Sequence, residues 1–199
     1  HVKGLQMDRF KNILFVYHTD VDSTAAFEHA VQIARQNNAA LTVVDTLAEM
    51  PGELKSPGKN ISVEYIAELI RKDRLDQLEK LASSAKRKKV DISVKLLEGR
   101  FFIAVIQEVI ANQRDLVVTT ARKPKGYKEL LFGSNLMHLL RKCPCPVWVI
   151  KQDATKKFRK ILAAVDPAPA DESGGHSGGD MNVKILEMAT SLAVLQKSN

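Results

Sequence analysis

The chain has 199 residues, room for one domain of ordinary size and part of another, and 45 % of them are apolar, so a sizeable core can be buried. Charged residues make up 27 % and the net charge is +7, which keeps anionic partners open; yet no aromatic residues interleave the largest basic cluster, Lys86 to Lys89, as a platform for single-stranded nucleic acid requires. No apolar run is long enough to span a bilayer and no signal peptide opens the chain, so no membrane is expected as a partner and the cytoplasm is the expected compartment.

Residues 1–8 read as a tag remnant, His1 to Gln6, followed by a start at Met7. Ile13 to Tyr17 is a continuous apolar run, the mark of a strand covered on both faces. Asp22-Ser23-Thr24 then offers helix-capping chemistry, and Ala26, Ala30, Ile33 and Ala34 recur at helical spacing until Asn37-Asn38. Asp20 and Asp22 are carboxylates in a loop, but a turn and a cap explain them before a metal does. Leu41 to Val44 is the second strand, and Glu49 to Asn60, with two Pro-Gly pairs, reads as a surface loop.

A long helix is predicted from about Ile61 to Lys88, burying Ile66, Leu69, Ile70, Leu75, Leu78 and Leu81, with the basic cluster complementing the dipole at its carboxyl end. Ile92 to Leu96 makes a third strand, Ala104 to Ile110 marks a third helix, and Leu116 to Val118 a fourth strand. Ser134 to Arg141 is a short fourth helix and Val147 to Ile150 a fifth strand. Cys143 and Cys145, too close in sequence for an easy disulfide and without further ligands for a zinc pattern, are expected to pack as free thiols near the start of that strand. Strands alternating with helices predict a doubly wound, Rossmann-like parallel sheet, and right-handed crossovers favour the order 3-2-1-4-5.

The chain then begins to repeat. Phe10-Lys-Asn-Ile-Leu14 reappears as Phe158-Arg-Lys-Ile-Leu162, and His18 falls on Asp166 under the same offset. The expected division is one domain over 9–151, a polar linker over 152–157, and over 158–199 the strand and first helix of an incomplete second copy. Between that strand and helix, Pro167 to Asp180 reads as a flexible loop, and Ile185, Leu186, Met188, Ala189, Leu192 and Ala193 resemble the first helix again.

A doubly wound sheet binds ligands beyond the carboxyl ends of its strands, where the order reverses. Here that is the gap between the first and fourth strands, where His18, Thr19, Thr120, Arg122 and Lys123 are expected to meet. Gly133-Ser134, opening the fourth helix, faces the same place, although an ordinary turn and N-cap would look alike. His18, His29 and His138 have no nucleophile laid out beside them, so no catalytic residues and no enzyme are predicted.

Asp115-Leu-Val-Val-Thr-Thr-Ala-Arg-Lys123, Leu131-Phe-Gly-Ser134 and Cys145-Pro-Val-Trp-Val-Ile150 resemble the universal stress protein family. Ile106-Gln-Glu-Val-Ile110 and His138-Leu-Leu-Arg-Lys-Cys-Pro144 are most similar to its tandem, two-domain type. The resemblance implies a cytoplasmic stress-response protein, often dimeric, some of whose relatives bind ATP. In those relatives the phosphates are held by Gly, two residues, Gly, nine residues, then Gly-Ser or Gly-Thr. On this chain the first two positions are Thr120 and Lys123, and Gly133-Ser134, followed by Asn135, is what remains. The Asp that ends the first strand is His18 here, and Val43 matches a position near the adenine. Glycine lets backbone approach a phosphate at positive φ, which a β-branched residue resists. The resemblance therefore implies a degenerate nucleotide site with no required cofactor, with ATP binding, and after it a basic anion or nucleic-acid binder, as alternatives. It also implies pairing through the fifth strand, Val147, Trp148, Val149 and Ile150, either as a homodimer or between tandem domains.

Overall fold

The computed structural model describes residues 9–48, 63–121, 134–154, 158, 160–165 and 178–196. They fall into two compact units, Asp8–Ala154, and Thr155–Asn199 with His1–Met7. The larger unit runs β1 (Asn12–Val16), α1 (Thr24–Asn37), β2 (Ala40–Leu47), α2 (Val63–Lys86), β3 (Ile92–Glu98), α3 (Phe101–Ala111), β4 (Leu116–Ala121), α4 (Ser134–Lys142) and β5 (Val147–Lys151). The strands form one parallel sheet in the order β3-β2-β1-β4-β5, as predicted.

The centre of the sheet is dry because β1 is covered on both faces. Ile13, Leu14, Phe15 and Val16 are all 0 % exposed. Alternate side chains leave a strand on opposite sides. Phe15 meets Phe27 of α1 edge-on, with ring centroids 5.3 Å apart, while Leu14 and Val16 pack with Val105 and Val109 of α3 and Leu139 of α4. At its carboxyl end α1 stops on Asn38, whose left-handed φ of 49° turns the chain into β2.

Two elements differ from the sequence-based expectation. The buried stripe of α2 is Leu78, Ala82 and Ala85, whereas Leu69 is 50 % and Ile70 37 % exposed. A helix of 24 residues is about 36 Å long, and a strand of 7 about 23 Å. About 15 residues of α2 can lie along the strand, and the first turns of the helix extend past the carboxyl ends of the strands. The helix ends at Lys86, and Lys89 takes a positive φ of 59° in the turn that follows.

In the smaller unit the expected strand is absent: residues 160–165 form no ladder, and Leu162 is 94 % exposed. A strand exists by pairing, and the described residues of this unit include no second strand. The expected helix is present as α5 (Gly178–Gln196). It starts earlier than the sequence suggests, so Gly178, Gly179 and Asp180 belong to its first turn, where Asp180 suits the dipole. Residues 49–60 and 167–177 of the two predicted loops lie outside the described residues. No helix among the described residues is long and apolar enough to cross a membrane.

Candidate ligand site at the carboxyl ends of the strands

The five strands of the larger unit all end on the same side, and there the helices diverge to leave a crevice of about 820 Å³. Its walls come from the ends of β1, β2, β3 and β4 and from the starts of α3 and α4. This is wider than the gap between β1 and β4 where the sequence places the site.

From β1 comes His18. Its ring stacks on Phe101, centroids 5.0 Å apart, and its Nε2 shares a hydrogen bond of 3.1 Å with Thr119 Oγ1. The pairing of a histidine with a hydroxyl resembles an activated nucleophile, but Thr119 is 0 % exposed inside β4 and no substrate can reach it. Thr19 and Asp20 follow on the rim. Asp22 makes the predicted turn, its Oδ1 accepting the Thr24 N–H at 3.0 Å, and that hydrogen bond holds its carboxyl below the usual range.

From β2 comes Asp45, 5 % exposed. Its Oδ1 accepts the Thr46 N–H at 2.8 Å and its Oδ2 meets Arg74 Nη1 of α2 at 3.2 Å. Burial pushes the Asp45 carboxyl up, the Thr46 N–H and Arg74 pull it down, and with the repulsion of Asp20 added it stays raised. Arg71, a turn earlier in α2, reaches Glu98 at the end of β3. These pairs tie the helix to the strand ends.

From β3 the chain turns at Gly99, φ +106°, whose N–H still bonds Leu47 O at 2.9 Å. Only glycine takes that conformation without strain, and it delivers Arg100, Phe101 and Phe102 to the mouth of the crevice. Arg100 is exposed and makes no ion pair among the described residues. His138 of α4 stacks on Phe102 at 4.8 Å.

From β4 comes Thr120. It is 2 % exposed, lines the crevice, and its Oγ1 is buried with no hydrogen-bond partner among the described residues. An unpaired buried hydroxyl costs roughly 1–3 kcal/mol. Its backbone lies in the ladder opposite Ile150.

Of the residues the sequence singles out, His18, Thr19, Thr120 and Asn135 line the crevice together. Val43 is fully buried within β2, beside Phe15 and Val94, and does not line it. Ser134 opens α4. Arg122, Lys123, Gly133 and Asp166 lie outside the described residues. Sequence reasoning missed Asp45, Arg74, Arg100, Phe101 and Phe102. Two signals were there: an acid inside the apolar run of β2, and two adjacent aromatics just after a glycine at a strand end. His138 is in the crevice wall, whereas His29 is a packing residue, 3 % exposed against Trp148. No group of three or more His, Cys, Asp or Glu among the described residues could hold a metal ion.

The sequence signature of the universal stress protein family matches residues 9–151. Universal stress protein E of Escherichia coli (strain K12) is 30 % identical over 192 residues, covering 94 % of this chain and 58 % of its own length. The chain thus spans less than two thirds of that relative. A solved structure from Pseudomonas aeruginosa UCBPP-PA14, described as a universal stress protein, superposes with a TM-score of 0.72 at 21 % identity, covering 96 % of this chain and 60 % of that one. A universal stress protein solved in complex with cAMP superposes with a TM-score of 0.55 at 17 % identity, covering 71 % and 97 %.

Proposed function

The chain belongs to the universal stress protein family, and from that premise we propose that it acts without catalysis. In this reading it works in the cytoplasm, pairs domains through β5, and takes a small ligand in a crevice that no longer cradles a triphosphate. Thr120 carries the reading. Where nucleotide-binding relatives need a glycine that bends the backbone toward phosphate, this chain has a β-branched residue held in the β4–β5 ladder. At this position the crevice is lined by a side chain whose hydroxyl has no partner among the described residues, where a glycine would leave backbone open to a phosphate.

The walls favour a compact ligand with a flat body and one anionic group. Phe101 and Phe102, each stacked by a histidine, offer aromatic surface. Arg100 offers an exposed cation at the mouth. The cAMP of the structural neighbour has that chemistry. Pairing rests on β5 at the edge of the sheet, where Val147, Trp148 and Val149 are only half-buried and no strand lies beyond them among the described residues.

Calorimetry with cAMP and with ATP–Mg²⁺ tests the ligand reading. Binding of cAMP without micromolar binding of ATP is expected. Micromolar ATP binding abolished by Gly133→Val would restore the phosphate cradle and overturn the proposal. Light scattering tests pairing: a dimer is expected that Val149→Lys splits. A monomer unaffected by that substitution removes it.

A further inference from the structure

The segment between α4 and β5 brings two thiols together. Cys143 Sγ and Cys145 Sγ are 3.6 Å apart, on either side of Pro144, and both residues are half-buried against the core beneath α3 and α4. We propose that Cys143 and Cys145 form a reversible dithiol–disulfide site that exchanges with small-molecule disulfides, with Cys143 as the attacking thiol and Cys145 as the resolving one.

The roles follow from the surroundings. Cys143 caps the end of α4, its N–H bonded to Leu139 O at 2.9 Å. A helix carboxyl end disfavours an anion, so a thiolate there must be stabilised by something else. The contact with the Cys145 thiol, together with the Cys145 backbone N–H and against the opposing effect of burial, brings Cys143 down to about 7. Cys145 is pushed up by the same contact, by burial and by the Asp115 carboxylate, with only the Val117 N–H acting the other way. One thiol is therefore ionised near neutrality while its neighbour keeps its proton, the division a two-step exchange needs.

In the first step the Cys143 thiolate attacks one sulfur of a disulfide R–S–S–R. A Cys143–S–S–R bond forms, the R–S–S–R bond breaks, and RS⁻ leaves. The Cys145 thiol then gives up its proton, to that thiolate or to water, and attacks Cys143 Sγ. This expels the second RS⁻, which is protonated in turn. Two protein thiols are oxidised by two electrons in all, and one disulfide is reduced to two thiols. The sulfurs must close from 3.6 Å to about 2.05 Å. A ring with a single residue between its cysteines is strained, and a strained disulfide is readily reduced again. The short spacing that makes the pair a poor structural staple makes it a good exchangeable one.

The test uses the full chain with oxidised and reduced glutathione as the probe. Oxidised glutathione should give a product lighter by two hydrogens, with both thiols protected from alkylation and restored by reduced glutathione. Cys145→Ser should trap a stable glutathione adduct on Cys143, whereas Cys143→Ser should not trap one on Cys145. The pH profile of Cys143 alkylation should have its midpoint near 7 and move upward in Cys145→Ala, a shift that mere packing of the two residues does not predict. Failure of the folded wild-type chain to close the bond, or alkylation of both cysteines with the same ordinary thiol profile, overturns the proposal.

Discussion

The two ends of the sheet are built from similar polar residues and treat them differently. At the amino ends of the strands most charge is matched, although Asp115 Oδ1 is buried without a hydrogen-bond partner among the described residues. Asp115 Oδ2 accepts the Lys11 N–H at 2.5 Å and the Asn12 N–H at 3.1 Å, joining β1 to β4. Glu108, its side chain 2 % exposed, meets Arg114 and Lys95, each at 2.7 Å, and Arg114 also bonds the Asn12 side chain. Asn37, 1 % exposed, accepts the N–H groups of Arg9 and Phe10 and donates to Ile33 O. At the carboxyl ends the polar groups are less well matched. Among the described residues the Thr120 hydroxyl has no partner, Asp45 is buried with a raised carboxyl, and the exposed Arg100 makes no ion pair. One end is organised for stability, while the other holds binding capacity at some cost to stability. Substitutions at the two ends should therefore have opposite consequences.

The largest effect belongs to Glu108→Gln. Burial alone would raise the Glu108 carboxyl, but hydrogen bonds and charge from Lys95 and Arg114 hold it below its ordinary value. Breaking a buried pair from one side costs about 3 kcal/mol, read as a lower urea midpoint at neutral pH. Because the folded-state value is depressed, this stabilisation is complete above the unfolded value of 4.5 and lost as pH falls through the folded one. The gap between wild type and variant should close on acidification. A gap that stays constant from pH 7 to pH 3 would mean that the ion pairs contribute nothing and that packing alone is being measured.

Thr120→Val should do the reverse. It keeps the branched shape and removes a hydroxyl that bonds nothing among the described residues. Stability should hold or rise by about 1 kcal/mol, while affinity for any crevice ligand that uses the hydroxyl drops about fivefold. A clear loss of stability would show that the hydroxyl has a partner in solution and that the two ends are alike.

How much of this could be read in advance depends on whether the cause is local. The five strands and their order were legible because a covered parallel strand is a continuous apolar run, as in Ile13 to Val16, and right-handed crossovers leave few arrangements. The exposed start of α2 was not legible: periodicity marks a stripe at Leu69 and Ile70, but only the lengths of helix and strand together show where the stripe runs out of sheet. The strand expected near Ile161 failed for a related reason, since an apolar run needs a partner strand that the run itself does not encode. In the crevice, His18 and Thr120 could be placed by topology alone. Asp45 and Arg74 could not, because their pairing joins a strand to a helix 29 residues later.

The smallest effect, Asp45→Asn, decides whether the contrast between the ends is electrostatic. The folded-state carboxyl of Asp45 is raised, so its ionised form weighs against the fold at neutral pH, and its contribution improves as pH falls through that raised value. This is opposite in sign to Glu108. The asparagine variant keeps an oxygen for the Thr46 N–H but sets an NH2 group against Arg74, which is partly exposed and can turn to water. Its urea midpoint at pH 7 should therefore equal or slightly exceed that of wild type, within about 1 kcal/mol. Its loss of stability in acid should be steeper, because the one carboxyl that offsets Glu108 is gone. Glu108→Gln and Asp45→Asn share no partner, so in the double variant the two distortions of the pH profile should add. A flatter acid limb in Asp45→Asn alone would mean that Arg74 and Thr46 hold Asp45 charged against burial, and the carboxyl ends of the strands would then be as well matched as the amino ends.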